Sequence, residues 1–204
     1  MIVRARLFVE TLSYWTCATG ATRGRLYDSV CVRDREGLPY MPGRHLRGLL
    51  REAVRQLPDV DADVVSLLFG PRDTDGIAFG SQIRIGSASL VAPVRALLEK
   101  MSREERERAL FATIQSTAIN DATGAALETS LRTYEVVAPT LLEAEISGDG
   151  AAFDERGAPQ KPCEDWFDIV QRALPLIEGV GAHRARGYGR AIFSVAAYDG
   201  EASQ

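Results

Sequence analysis

A chain of 204 residues with 46% hydrophobic content can bury one proper core with at most a modest insertion, and it is too apolar for a disordered class. Charge enters at Arg4, and no run of about 18 apolar residues occurs, which argues against secretion and membrane spanning and makes a cytoplasmic protein the expectation. The net charge of -4 argues against a nucleic-acid partner only as a sum, because the placement of the charges matters more.

The first element is a strand, since Val3, Ala5, Leu7 and Val9 alternate with Arg4, Arg6 and Glu10. Residues 16–24 have no periodicity and read as a mobile loop leading into residues 26–32. Pro42 and Gly43 then start a helix whose apolar positions Leu46, Leu49, Leu50, Ala53, Val54 and Leu57 follow helical spacing. Arg44, Arg47, Arg51 and Arg55 share its opposite side within roughly 80 degrees. Taken alone, that stripe is a solvated face.

An acidic segment (59–63) and a turn (70–76) lead to a strand region over 77–90, marked by Phe79, Ile83 and Ile85. Ser102 with Glu105 forms a capping box for a short charged helix to about residue 112. Residues 115–133 are small, polar and turn-rich, as expected of a loop or hairpin projecting from the core. Alternation returns at Leu142, Ala144 and Ile146 and ends at Gly148. After a glycine and proline rich connection, residues 163–177 read as a helix burying Phe167, Val170, Leu174 and Ile177, kinked or shortened by Pro175. A final strand spans 191–198, and 199–204 form a frayed tail.

Between residues 20 and 57, Arg23, Arg25, Arg33, Arg35, Arg44, Arg47, Arg51 and Arg55 face only four acids, Asp28, Asp34, Glu36 and Glu52. Arginine suits bidentate phosphate contacts and base stacking. Near the other end Gly179, Gly181, Gly187 and Gly189 form a G-x-G-x5-G-x-G pattern, with His183, Arg184 and Arg186 in its gap. Such a loop is expected to turn bare backbone amides and guanidinium groups toward a docked anion. Cys17, Cys31 and Cys163 share no C-x2-C spacing and have only His45 and His183 for company, so a zinc site has no sequence support and buried or idle thiols are expected. The element order is a split βαβ pattern, an α+β fold with a ferredoxin-like, RNA-recognition-type palm.

Four stretches carry a family resemblance: GLPYMPGRHLRGLLREA (37–53), LFG within 67–70, AINDATGAALETSLRTYEVV (118–137) and GVGAHRARGYGRAIF (179–193). With them the chain resembles the RAMP superfamily of CRISPR-associated proteins. The D-x5-D pair before G-L-P-Y-x-P-G and a helix resembles, more narrowly, the repeated backbone subunit of type III interference complexes. The resemblance implies a single palm domain over residues 1–204 with a thumb-like hairpin at about 113–133, including Asn120, Asp121, Thr123 and Arg132, and a C-terminal glycine-rich loop.

Such subunits polymerise along a guide RNA with copies of themselves and other effector subunits, and their thumbs disrupt the duplex of guide and target RNA at regular intervals. The resemblance further implies metal-dependent cleavage of the target RNA by the aspartate preceding the P-G helix, here Asp28, with Mg the expected divalent ion. Asp34 matches the second acid, for which a turn-forming role is the better reading. Arg25, Arg44, His45, Arg47, Arg51 and Arg55 become candidate RNA contacts, as do Gly179, Gly181, His183, Arg184, Arg186, Gly187 and Gly189. The chain departs from the family in placing Arg44, His45 and Arg47 where two small hydroxyl residues and a lysine are usual. Two alternatives stay open, a non-catalytic RNA-binding scaffold or cap subunit, and a metal-independent guide-processing endoribonuclease using His45 as its base.

Overall fold

In the computed structural model, which describes residues 3–18, 29–70, 80–120, 122–127, 130–153 and 158–198, the strand β1 (Arg4–Thr11) lies at the centre of the main sheet. Its alternation acts as read: Ala5, Leu7 and Val9 are fully buried while Arg6 and Glu10 face solvent. β1 pairs antiparallel with β6 (Leu141–Ser147) on one side and β7 (Ala191–Ala197) on the other, with Leu7 opposite both Ala144 and Val195. The fragments β2 (Arg84–Ile85) and β3 (Ser89–Leu90) both pair with the far edge of β6.

The helix α1 (Gly43–Arg55) buries Leu46, Leu50, Ala53 and Val54, the stripe its spacing specifies. α5 (Trp166–Ala173) buries Trp166, Ile169, Val170 and Ala173, and both faces join the inner face of β1 and β6 in one core. Pro175 sits in a 3-10 turn (Leu174–Leu176), so the predicted helix is shortened rather than continued. Trp166 fills the core position expected of Phe167, which is only half-buried.

Two helices form where the sequence reading assigns no element. Asp61 caps α2 (Ala62–Phe69) by accepting the Val64 N–H at 2.8 Å, so the acidic segment is a helix start. α3 (Ala92–Glu99) carries Pro93 in its first turn, where no intrahelical amide partner is needed. The strand region 77–90 shrinks to β2 and β3, and residues 71–79, Phe79 among them, lie outside the described residues.

The capping box forms as read: Ser102 accepts the Glu105 N–H and Glu105 accepts the Ser102 N–H at the start of α4 (Arg103–Leu110). α4 runs directly into β4 (Phe111–Ser116), which pairs with β5 (Arg132–Val137) as a separate antiparallel hairpin, from Phe111 opposite Val137 to Ser116 opposite Arg132. The architecture is thus a mixed α+β fold with antiparallel sheets. Among the described residues no helix is long and apolar enough to cross a membrane.

The segment read as a mobile loop is anchored at its start. Trp15, Thr16 and Cys17 are buried, and Val32 donates its N–H to the Cys17 carbonyl at 2.9 Å. Residues 19–28, which include Arg25 and Asp28, lie outside the described residues, as do Asp121 and 199–204.

Candidate nucleic-acid interface

The glycine segment folds against residues 12–16. Gly189 donates its N–H to the Tyr14 carbonyl (2.7 Å), Val180 to the Gly189 carbonyl (2.7 Å) and Ala182 to the Thr16 carbonyl (3.0 Å). Gly187 donates to the Arg184 carbonyl (3.0 Å), and Gly181 to His45 Nε2 (2.9 Å). This corrects the expectation of bare amides: the amides of Gly181, Gly187 and Gly189 are spent inside the protein. Glycine is required for another reason at two positions. A Cβ on Gly181 would lie 2.1 Å from the Thr16 carbonyl oxygen, and one on Gly189 would lie 1.9 Å from that of Val180.

This packing pushes the side chains between the glycines outward. Arg184 and Arg186 are exposed on a single 3-10 turn, preceded by His183 in the left-handed region at φ 61°. The His183 ring meets the Tyr134 ring edge-on at 4.7 Å and the Tyr188 ring at 6.4 Å. An open groove of about 1050 Å³ runs past Leu12, His183, Arg184, Tyr188, Arg190 and Ile192. A smaller cavity of about 190 Å³ joins Arg186 to the hairpin residues Ser116, Ser130, Arg132 and Tyr134. The turn and the hairpin base therefore share one cationic, aromatic surface, and Arg184 lies near enough to His45 to disfavour a second positive charge there.

His45 is the pin of this arrangement rather than a surface residue. It is half-buried, its Nε2 is taken by the Gly181 amide, and burial, with Arg184 second, pushes its pKa below the usual value. A neutral imidazole holding a backbone N–H is not available as a general base at that nitrogen, which removes the basis for the His45-dependent nuclease. The depressed folded-state pKa means that the contribution to stability is present above the unfolded value of about 6.5 and is lost as pH falls through the lower folded value. The native chain should accordingly lose melting temperature on acidification below about pH 6.5. His45→Gln, whose amide oxygen can accept the same N–H at any pH, should lose less, and parallel melting-temperature profiles would remove the role.

The arginine stripe on α1 divides. Arg47 donates to the Phe69 carbonyl and Arg51 to the Gly70 carbonyl (2.7 Å), covering the carbonyl end of α2 where cations are favoured. Arg55 pairs with Glu52 at 2.7 Å. Arg44 is exposed, and among the described residues no acidic group pairs with it. Arg44 is thus the stripe residue whose charge is best placed for an outside ligand, whereas reversing Arg47 or Arg51 would damage α2 as well.

Asp34 Oδ1 accepts the N–H groups of Glu36 and Leu38, both at 2.9 Å, so its carboxylate organises the turn, as read. Ser29, the residue after Asp28, pairs with Tyr134 and accepts the Glu135 N–H at 3.1 Å. Buried Glu135 then holds Arg33 Nη2 (2.7 Å) and the Cys31 N–H (2.9 Å), tying the segment that follows Asp28 to the hairpin base. At the hairpin tip Asn120 Oδ1 accepts from Ala122 (2.9 Å) and Thr123 (3.3 Å), a turn-shaping role. Ile119 beside them and Leu131 just before β5 are 61% and 63% exposed, apolar positions that a polar-loop reading passes over.

Arg190, Tyr134 and Tyr188 were also missed: the first is one residue beyond the last glycine, and nothing in strand periodicity marks the tyrosines as surface neighbours. Burial pushes the thiols of Cys17 and Cys31 up to about 12 and about 11, so neither is poised as a nucleophile. Among the described residues no three His, Cys, Asp or Glu side chains converge as a metal site.

No curated protein matches the sequence. A chain of the cryo-EM structure of the Type III-B Cmr-beta bound to cognate target RNA is similar in fold, at TM-score 0.69 and 11% identity over 94% of this chain and 96% of that one. A chain of Type III-B Cmr-beta in the apo state gives TM-score 0.66 and 10% identity over 95% and 97%. The RAMP superfamily model matches residues 8–193, nearly the whole distance from β1 to β7 and through both glycine-bearing regions, so the chain belongs to the RAMP superfamily.

Proposed function

We propose that this protein is a guide-RNA-binding backbone subunit of a type III-like CRISPR interference complex. The observation that carries the reading is the shared surface of Arg184, Arg186 and Arg132 with the Tyr134, His183 and Tyr188 rings. Guanidinium groups take phosphates and aromatic rings stack bases, the combination that binds single-stranded RNA without reading its sequence. The strand order supports a ferredoxin-like palm, with the β4–β5 hairpin as its thumb. Its partners are a guide RNA, a complementary target RNA, copies of itself and other effector subunits.

Target cleavage is assigned to Asp28. Asp34 is committed to its turn and fits poorly as a second ligand, so a divalent ion, Mg by preference, would rest on Asp28 with oxygens from RNA phosphate and water. Mg commonly binds in this way, through one or two carboxylates plus substrate phosphates. When bound, such an ion supplies charge neutralisation at the phosphodiester. The chain's own contribution is to hold the RNA backbone extended across the turn and the hairpin base, where the 2′-hydroxyl of the RNA supplies the nucleophile. A scaffold that binds in the same way without cutting is the rival reading.

Fluorescence anisotropy of a short single-stranded RNA over a salt series tests the binding surface. Arg184→Gln and Arg186→Gln should each reduce the slope of log K against log salt by about 0.7. Unchanged slope and affinity in both would reject the turn as an RNA contact.

A further inference from the structure

A second cavity, of about 350 Å³, lies away from the glycine turn, between the 33–38 turn and α4. Three carboxylates line it, and each already has a partner. Glu107 Oε2 accepts Arg33 Nη1 at 2.7 Å, Glu36 Oε2 accepts Arg95 Nη2 at 2.7 Å, and Asp34 lies 3.9 Å from Arg95 while holding its two turn amides. Arg35, Arg103 and Arg106 also line it, and among the described residues none of these three pairs with an acid.

Arg103 and Arg106 are three apart on α4 and so share a face, where like charges repel. Arg35 approaches from the turn on the opposite wall. The Arg106 Nε is buried with no hydrogen-bond partner, which is unfavourable for a donor. The start of α4 is not part of the argument, because its capping box already satisfies it.

We infer that this cavity is an oxyanion site, holding a phosphate group through Arg35, Arg103 and Arg106. Arginines on two walls of one cavity suit a tetrahedral anion with several acceptor oxygens, and such an anion would relieve the repulsion between Arg103 and Arg106. The cavity also has room for an ester substituent on the phosphate. The phosphate comes either from an RNA backbone, which rests on the RNA-binding reading above, or from free phosphate or a mononucleotide, which does not.

The test uses the full chain in phosphate-free buffer, with its melting temperature followed on adding inorganic phosphate. Phosphate should raise the melting temperature of the native chain, and the rise should fall by half or more in Arg106→Gln and in Arg103→Gln. Without phosphate, Arg106→Gln should melt no lower than native, because it removes an unsatisfied donor and a repelling charge. Native and variant chains shifting equally, or not at all, would overturn the site.

The RNA salt series on the same variants separates the sources. A slope reduced by about 0.7 assigns the site to backbone phosphate, and an unchanged slope with the phosphate effect lost assigns it to free phosphate or a mononucleotide. If the native chain binds no RNA at all, the proposed function falls, and the phosphate melt still decides this site.

Discussion

Gly189→Ala should both destabilise the protein, by about 3 kcal/mol or more, and abolish RNA binding by the turn. The backbone at Gly189 has φ 70°, where a side chain is strained, and the new Cβ would stand 1.9 Å from the Val180 carbonyl oxygen. Neither side can yield cheaply. Val180 is fully buried and donates to the Gly189 carbonyl, while Gly189 donates to Tyr14 on the strand-side wall. Gly187→Ala is the control: it shares the left-handed backbone at φ 83° but has nothing within 4 Å of a Cβ, so it should cost only about 1 kcal/mol. Urea unfolding of the two variants separates steric exclusion from backbone preference. Equal losses would mean that the close approach to Val180 is not what requires glycine.

Asp28→Ala, in the assembled complex with its guide, should reduce cleavage of a labelled complementary RNA by at least about 100-fold and leave binding intact. Cleavage by the native complex should stop in chelator and return with magnesium, since an isolated carboxylate with a pKa near 3.9 is a poor base at neutral pH. Asp34→Asn should behave differently. Its carboxylate accepts two turn amides, so the variant should retain cleavage within a few-fold while losing some stability, about 1 kcal/mol. Regularly spaced products that vanish in Asp28→Ala would establish the catalytic reading. Binding with no cleavage by the native complex would make the protein a scaffold subunit and move the chemistry to its partners.

The contrast between these two aspartates shows how much of the site could be read from the chain alone. A residue that acts through its neighbours in sequence, like Asp34 in its turn or Ser102 and Glu105 in their capping box, is recognisable from spacing, because its partners are two to four positions away. The same holds for α1, β1, β6 and β7, whose periodicity is long enough to declare a buried face. α2 and α3 are eight residues each, too short for helical and strand patterns to separate, and both were missed.

Local patterning thus determined the main elements, the hairpin, the two glycine-bearing regions and the family resemblance. The direction in which those regions face was decided by contacts between distant parts of the chain. His45 meets Gly181 across 136 positions, and the glycine amides turn inward because residues 12–16 supply carbonyls for them. Arg47 and Arg51 are diverted to the end of a helix that spacing did not reveal, while Arg184 and Arg186 are left exposed. Hydrogen-bonding capacity is a property of each residue, but which groups remain open to a ligand depends on which donors and acceptors folding has already paired, and that pairing exists only in three dimensions.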